Sequence, residues 1–357
     1  MKAIKKSKGA KYIHILLTIA LMAILAACGG NEANTEVGTN PQMPTQSTTA
    51  PTQVRTGTYI TIRGVEHSTL LTELDFMYQN LTNSDIEPLR YMTNLTVLNL
   101  RFNSITDISP LAGLVNLTKL NLVANEISDI SALTGLTNLT ELFIGNNPLQ
   151  DINPLAGLTN LTSLGISGPG RITPSDEWVH AGQIRDISIL AGLTNLTALD
   201  VRGNQISDIS PLSGLVYLTS LDLGFNQISD ISPLAELVNL LNLDLISNRI
   251  SDIVPLSELV NLTILEASHN QINNINALAE LTSLRVLMLG NNGIANIDSL
   301  SDLENLGALF LTDNRINDFS SLKELSNLRM LFLGGNPISS TQIEVLRRAM
   351  PDTSISQ

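Results

Sequence analysis

Apolar residues recur along this chain with a period of 22 residues. In the copy at residues 193–215, "LTNLTALDVRGNQISDISPLSGL", they alternate with polar residues at first and are then irregularly spaced. The alternating part predicts a short strand, and the remainder predicts turns. A single copy cannot bury its apolar side chains alone. Successive copies are therefore expected to stack as coils, with their strands joined in a parallel sheet.

One asparagine keeps the same place in nearly every copy. An asparagine buried in a turn can satisfy backbone groups that no strand reaches, so stacked copies predict a hydrogen-bonded column. We expect this column to be structural. Its members are Asn103, Asn125, Asn147, Asn204, Asn226, Asn248, Asn270, Asn292, Asn314 and Asn336.

The second half of each copy begins with an aspartate, as in Asp208, followed by Ser210-Pro211. A capping side chain followed by proline predicts a helical turn, with serine as the cap. A ladder of calcium ligands is the alternative, since hard cations bind carboxylates. It is disfavoured because Asn274 and Asn296, which replace the aspartate in two copies, keep a backbone-capping side chain but lose the charge. The aspartates are therefore expected to cap the backbone.

The pattern L-x-x-L-x-L-x-x-N-x-I resembles the leucine-rich repeat, and "ISDISPL" with a 22-residue period is similar to the bacterial internalin type. The resemblance implies an α/β fold: a curved, horseshoe-shaped solenoid with a parallel β-sheet on its concave face and short 3₁₀ or α turns on its convex face. It also implies a protein-binding function. We expect one domain at 58–357, with an N-terminal cap at 58–94, repeats at 95–338 and a C-terminal cap at 339–357.

Two segments are predicted to close the ends of the solenoid, which would otherwise expose its core. "YITIRG" (59–64) alternates as an edge strand does, and a degenerate first copy follows it at 71–89. "STQIEVLRRAMP" (340–351) predicts an amphipathic helix that is stopped by proline.

The N-terminus predicts export. Residues 1–27 combine five lysines, a short apolar stretch and small residues, as in a signal peptide. The sequence "LAAC" ends at Cys28, the only cysteine, and resembles the bacterial lipoprotein signal; an ordinary signal peptide is the alternative. Residues 28–57 then form a flexible tether. We expect an extracytoplasmic protein held at the cell membrane by a lipid on Cys28.

Charge narrows the choice of partners. The chain carries 20 basic and 33 acidic residues, and cleavage after residue 27 would remove five lysines and no acid. Such a chain disfavours nucleic acid. We expect a protein ligand from the host or the envelope, no cofactor, no metal and a monomeric state.

The candidate ligand-binding residues lie in one column, between the two core residues of each strand. Four successive acids there predict either a solvated acidic face or a site for a cationic ligand: Asp200, Asp222, Asp244 and Glu266. Three apolar residues continue the column: Met288, Phe310 and Phe332. With Ile264, Val286, Ala308 and Met330 beside them, they predict an exposed apolar interface, unless the C-terminal cap covers it.

An insertion spanning 168–180 interrupts one copy and carries the only tryptophan, Trp178, together with His180. Insertions in solenoids project as loops, so these two side chains are candidate ligand contacts at the rim of the concave face. Trp178 filling the gap left by the missing asparagine is the alternative.

Catalysis is not expected. His67, His180 and His269 remain after cleavage, without a metal-ligand spacing or a phosphate-binding loop, and Asp176 and Glu177 are ordinary polar residues for a surface loop. The sequence therefore predicts a surface-anchored binding module, and the internalin-like resemblance implies an adhesin or a host-interaction protein. The alternative is an envelope scaffold or sensor that binds a peptide, a cell-wall fragment or a membrane protein.

Overall fold

A parallel sheet of three-residue strands forms the backbone of the structure, a computed structural model that describes residues 58–172 and 178–357. Thirteen strands form this sheet among the described residues, each next to its neighbour in the following coil. They are β3 Glu73–Asp75, β4 Val97–Asn99, β5 Lys119–Asn121, β6 Glu141–Phe143, β7 Ser163–Gly165, β10 Ala198–Asp200, β11 Ser220–Asp222, β12 Asn242–Asp244, β13 Ile264–Glu266, β14 Val286–Met288, β15 Ala308–Phe310, β16 Met330–Phe332 and β17 Ser354–Ser356.

A short 3₁₀ helix lies between one strand of the sheet and the next from β3 to β16. The predicted α/β solenoid of parallel strands and 3₁₀ turns is therefore confirmed. These helices span Glu87–Tyr91, Ser109–Leu111, Ser131–Leu133, Asn153–Leu155, Ser188–Gly192, Ser210–Leu212, Ser232–Leu234, Val254–Leu256, Asn276–Leu278, Asp298–Leu300 and Ser320–Glu324. The leucines and isoleucines between strand and helix are almost wholly buried in one continuous core.

The aspartate, not the serine, caps eight of the 3₁₀ helices. Asn274 and Asn296 take its place in two more. Asp208 Oδ1 accepts the N–H of Ser210 at 2.8 Å, and this bond holds the pKa of Asp208 below its usual value. Asp252 accepts from Val254 in the same way, so the one copy without a serine or an equivalent polar residue is capped too. The predicted backbone capping by the aspartate position is confirmed, whereas the prediction of a serine cap was wrong. Among the described residues, no group of three or more His, Cys, Asp or Glu side chains could hold a metal ion.

The predicted asparagine column is confirmed. Asn248 Oδ1 accepts the N–H of Ile228, and its Nδ2 donates to the carbonyl of Leu223 in the preceding coil and of Leu245 in its own. The same bonds recur from coil to coil. Since an unpaired buried backbone group costs about 1–3 kcal/mol, the column is what allows such short strands to be stacked.

A second column, which the sequence did not predict, lines the loops that lead into the strands. Asn239 Nδ2 donates to the carbonyl of Val216, and Asn261 Nδ2 donates to that of Val238. Threonine hydroxyls two residues later do the same: Thr219 Oγ1 donates to the carbonyl of Thr197. The Asn-Leu-Thr triplets are thus structural parts of the repeat.

The N-terminal end differs from the prediction. β1 (Tyr59–Ile62) does not join the main sheet but pairs antiparallel with β2 (Val65–Ser68) in a separate hairpin. The sheet begins at β3, within the degenerate first copy, where Phe76 is buried. A short helix, α1 (Asn83–Ile86), follows β3.

The C-terminal helix is confirmed as α2 (Ser340–Ala349), with Ser339 and Gln342 forming a capping box at its start. The chain then returns as β17, which the sequence did not predict, and pairs with β16 at the edge of the sheet. No helix of residues 58–172 and 178–357 has the length and apolar character to span a membrane.

Several predictions lie outside the described residues. They are the signal peptide at 1–27, the lipid on Cys28, the tether at 28–57, residues Asp176 and Glu177, and the side chain of Trp178, on which both of its predicted roles depend.

Candidate functional site

The last residues of the strands stand in one column on one face of the sheet, here called the sheet face. Strand register aligns Asp200, Asp222, Asp244 and Glu266 across adjacent coils. Met288, Phe310 and Phe332 continue the same column. The predicted candidates are therefore neighbours in space, at a strand spacing of about 4.8 Å.

The acids do not form a solvated face, because an arginine of the chain itself crosses them. Arg202 Nη1 lies 2.7 Å from Asp244 Oδ2 and 3.3 Å from Asp222 Oδ2, so one guanidinium spans two coils. Its side chain is 12% exposed, and those of Asp222 and Asp244 are still more buried. The interpretation of a solvated acidic surface was wrong, because Arg202 of the same chain pairs with these carboxylates and they are buried.

Backbone N–H groups hold the carboxylates from the other side. Each acid accepts from the residue two positions later: Asp244 from Ile246 at 2.8 Å, and Glu266 from Ser268 at 2.7 Å. Such bonds favour the ionised form, yet they do not offset burial for Asp200, Asp244 and Glu266.

The four acids share a single arginine. Burial, and then the charge of Asp222, raise the pKa of Asp200 and of Asp244 to about 7. Burial and the neighbouring Asp244 raise the pKa of Glu266 to about 8. Burial disfavours the charged form of Arg202, but the carboxylates outweigh it and keep its pKa above the usual value. The column therefore holds protons near neutral pH.

Two features fix the path of the arginine. A Cβ on Gly224 would lie 2.8 Å from Ile246 Cγ2, 3.0 Å from Arg202 Nη1 and 3.1 Å from Asp244 Oδ1, so a side chain there would crowd the arginine and its partner. Phe225 supports the guanidinium from below, with its ring centroid 4.6 Å from Arg202 Cζ. We call Asp200, Arg202, Asp222, Asp244 and Glu266 the Arg202 cluster.

The insertion forms a hairpin where a loop was predicted. β8 (Gly170–Ile172) pairs antiparallel with β9 (Trp178–His180). Gly168 and Gly182 anchor it: a Cβ on either would lie within 2.4 Å of the backbone oxygen of Gly203. The base of the hairpin therefore lies so close to Gly203 that neither Gly168 nor Gly182 has room for a side chain.

The hairpin brings His180 to the Arg202 cluster. Its ring lies against Phe225 with centroids 4.3 Å apart, and a Cβ on Gly203 would overlap its Nδ1. Burial, and then the positive charge of Arg202, lower the pKa of His180 to about 4. The imidazole is neutral at physiological pH. Trp178 begins the same strand and pairs with Ile172 through the backbone.

The apolar end of the column is less exposed than predicted. Phe310 is only 5% exposed and stacks on Phe332 with centroids 4.5 Å apart, while Met288 and Ala308 are also buried. Met330 alone of this group is well exposed, at 44%. The expected broad patch was wrong, because neighbouring coils cover one another's side chains. The C-terminal cap extends the sheet beside β16.

Sequence reasoning missed Arg202 and Phe225. The signal for Arg202 was present: Asp200-Val201-Arg202 continues the alternation of the strand, so aspartate and arginine point to the same side. Phe225 gave no such signal, because it lies in the turn with a left-handed φ of +53°.

These features define a solenoid class of repeat protein, and the comparisons identify its family. The model for leucine-rich repeats matches residues 93–135, 137–178, 194–236, 217–258, 260–305 and 282–324. These segments cover more than half of the chain, which therefore belongs to the leucine-rich repeat family.

Two solved structures are similar to the chain. An internalin (inlF) from Listeria monocytogenes shares 35% identity with a TM-score of 0.67, over 82% of this chain and 90% of that one. A leucine-rich repeat protein of Leptospira interrogans shares 25% identity with a TM-score of 0.62, over 76% of this chain and 74% of that one. A comparison with curated proteins gives no match.

Replacing Gly224 with alanine tests the packing of the cluster. The new methyl group would crowd Ile246, Arg202 and Asp244, and we expect a loss of about 1–3 kcal/mol in the free energy of unfolding. Gly214→Ala is the matched control, because a Cβ there meets no atom within 4 Å. Urea denaturation measures both variants. Equal stability of the two would contradict the assigned arginine path.

The raised pKa values predict how stability depends on pH. Asp200, Asp244 and Glu266 bind protons in the folded state at pH values where the unfolded chain has released them. Their contribution to stability is full below about pH 4 and is lost as the pH rises through about 7 to 8. His180 and His269, with lowered pKa values, act only below their unfolded values near 6.5.

We therefore expect the free energy of unfolding to fall between about pH 6.5 and about pH 8.5, as measured by urea denaturation. Glu266→Gln should reduce that slope, because it removes a titrating group. Asp230→Asn should leave the slope unchanged, since a backbone hydrogen bond from Ser232 holds the pKa of Asp230 below its usual value. A wild-type stability that rises over this interval would refute the assignment.

Proposed function

We propose that this protein is an extracytoplasmic binding module, anchored by a lipid on Cys28, that holds a protein ligand on the sheet face. Membership of the leucine-rich repeat family supports a role in protein binding, and the similarity to an internalin supports a bacterial interaction protein. Catalysis has no part in this proposal. The N-terminal sequence supports export and anchoring.

The observation that carries the proposal is that each coil combines constant structural positions with variable positions on the sheet face. The asparagine and leucine columns repeat almost unchanged, and their side chains are hydrogen-bonded or buried within the solenoid. The sheet face changes from coil to coil, from the Arg202 cluster to the aromatic pair Phe310–Phe332. A surface that varies on a constant scaffold favours recognition.

The chemistry of the sheet face suggests what it binds. A cation of the ligand would displace protons that the column holds near neutral pH. A lysine or arginine would therefore lie near Asp200, the most exposed of the four acids. Met330 would contact an apolar group further along. His180 packs against Phe225 beside the Arg202 cluster, which supports a contact of His180, and of Trp178 on the same strand, with the ligand.

Capture experiments with the full chain test the sheet face. Met330→Asp should reduce binding of a captured surface protein about tenfold, because it places a charge in a desolvated contact. Val254→Asp is the control, since Val254 is an exposed valine on the 3₁₀ side of the solenoid. Equal capture by both variants would exclude the sheet face.

The source of the captured protein separates the two roles. Host-cell surface proteins would support an adhesin or another host-interaction protein, whereas capture from the bacterium's own envelope would support the alternative scaffold or sensor. Trp178→Ala, tested in parallel, reports whether the hairpin takes part in binding.

Anchoring is tested separately. The chain expressed in bacteria with a clickable fatty acid should incorporate label, and Cys28→Ala should abolish it, because the thiol is the proposed acceptor. Ser47→Ala, in the predicted tether, should leave labelling unchanged. Label retained on Cys28→Ala would exclude the lipoprotein assignment without affecting the binding proposal.

A further inference from the structure

A strip of exposed apolar side chains lies away from the sheet face, on the loops that lead into strands β11, β12 and β13. Its five members are between 40% and 60% exposed: Val216, Tyr217, Val238, Leu241 and Val260. Asn239 bonds the carbonyl of Val216, and Asn261 bonds that of Val238, so the three valines stand on successive, directly bonded coils. We call these five residues the entry strip.

Two members of the entry strip replace residues that would have served the fold. Tyr217 stands where the neighbouring coils have Asn195 and Asn239, whose amides bond the preceding coil. Leu241 stands where Thr219 and Thr263 donate a hydroxyl to the preceding carbonyl. In both cases a side-chain hydrogen bond is given up for an exposed apolar group. Folding gains nothing from this exchange, which points to a contact with another molecule.

Acidic residues border the strip. The position two residues before each valine or its equivalent is glycine in the earlier coils: Gly113, Gly135, Gly157, Gly192 and Gly214. In the later coils it is an exposed acid: Glu236, Glu258, Glu280, Asp302 and Glu324. Like charges on adjacent coils repel, so this column does not stabilise the fold. Arg285 and Arg329, in the column of Leu241, lie beyond the strip in later coils.

We propose that the entry strip is a second binding surface, which takes a basic, apolar polypeptide segment. Aliphatic side chains of that segment would cover Val216, Val238 and Val260, and its lysines or arginines would face Glu236 and Glu258. The chain carries 33 acidic against 20 basic residues, so charge disfavours a second copy of itself as the occupant. This surface is independent of the sheet face.

The test uses the full chain and three labelled synthetic peptides of equal length and equal leucine content. Their remaining positions carry lysine, glutamate or serine, and fluorescence anisotropy reports binding. We expect the lysine peptide to bind most tightly and the glutamate peptide least. Val238→Asp should weaken binding of the lysine peptide about tenfold, because the loss of the aliphatic contact that the peptide would bury outweighs one charge added to an already acidic border.

Matched variants make the test specific. Val115→Asp alters an exposed valine in the same column of an earlier coil. That coil has Gly113 where later coils have an acid, and Val115 is not part of the entry strip, so this variant should bind the peptide as wild type does. Glu258→Lys should weaken binding, while Glu324→Lys, in the same acidic column but away from the strip, should not.

Three outcomes would overturn the proposal. Equal binding of the lysine and glutamate peptides would exclude recognition by charge, and equal losses for Val115→Asp and Val238→Asp would exclude the strip. Self-association of the wild-type chain that Val238→Asp abolishes, seen by sedimentation velocity, would identify a second copy as the occupant. None of these variants alters the sheet face, so failure here leaves the proposed function standing.

Discussion

The side-chain amide of one asparagine per coil is the interaction on which this structure depends. Strands of three residues leave most of each turn without a backbone partner, and the amide supplies both a donor and an acceptor at that point. Because this bond reaches into the preceding coil, stacking and turn formation are one event. The turns and the core are thereby fixed, and the outward side chains are left free to vary.

The Arg202 cluster uses that freedom at an energetic cost. A buried ion pair is seldom a net gain for folding, since desolvation of the charges offsets their attraction. Here several carboxylates share one guanidinium, and three of them have pKa values raised into the neutral range. The fold tolerates this arrangement because Gly224 leaves space and Phe225 supports the arginine.

Sequence periodicity was sufficient to predict the repeated strands, turns and core, but not the contacts among the side chains on the sheet face. Strands, 3₁₀ turns and the Asn248-type column follow from a repeated pattern, because each copy confirms the others. The burial of Phe310 and the pairing of Arg202 with Asp244 depend on contacts between coils, which a single copy does not encode. The antiparallel β1–β2 hairpin and the added strand β17 occur once each, so no repetition marked them.

The hairpin at β8 and β9 has a wider meaning for how the chain can change. Sheet order passes directly from β7 to β10, and Asn204 Nδ2 still donates to the carbonyl of Ile166, 38 residues earlier instead of the usual 25. The hydrogen bonds between coils are thus the same whether 25 or 38 residues separate the donor from the acceptor. This turn is a place where the length of the chain is free while the register is fixed, and where new segments can be grafted without rebuilding the solenoid.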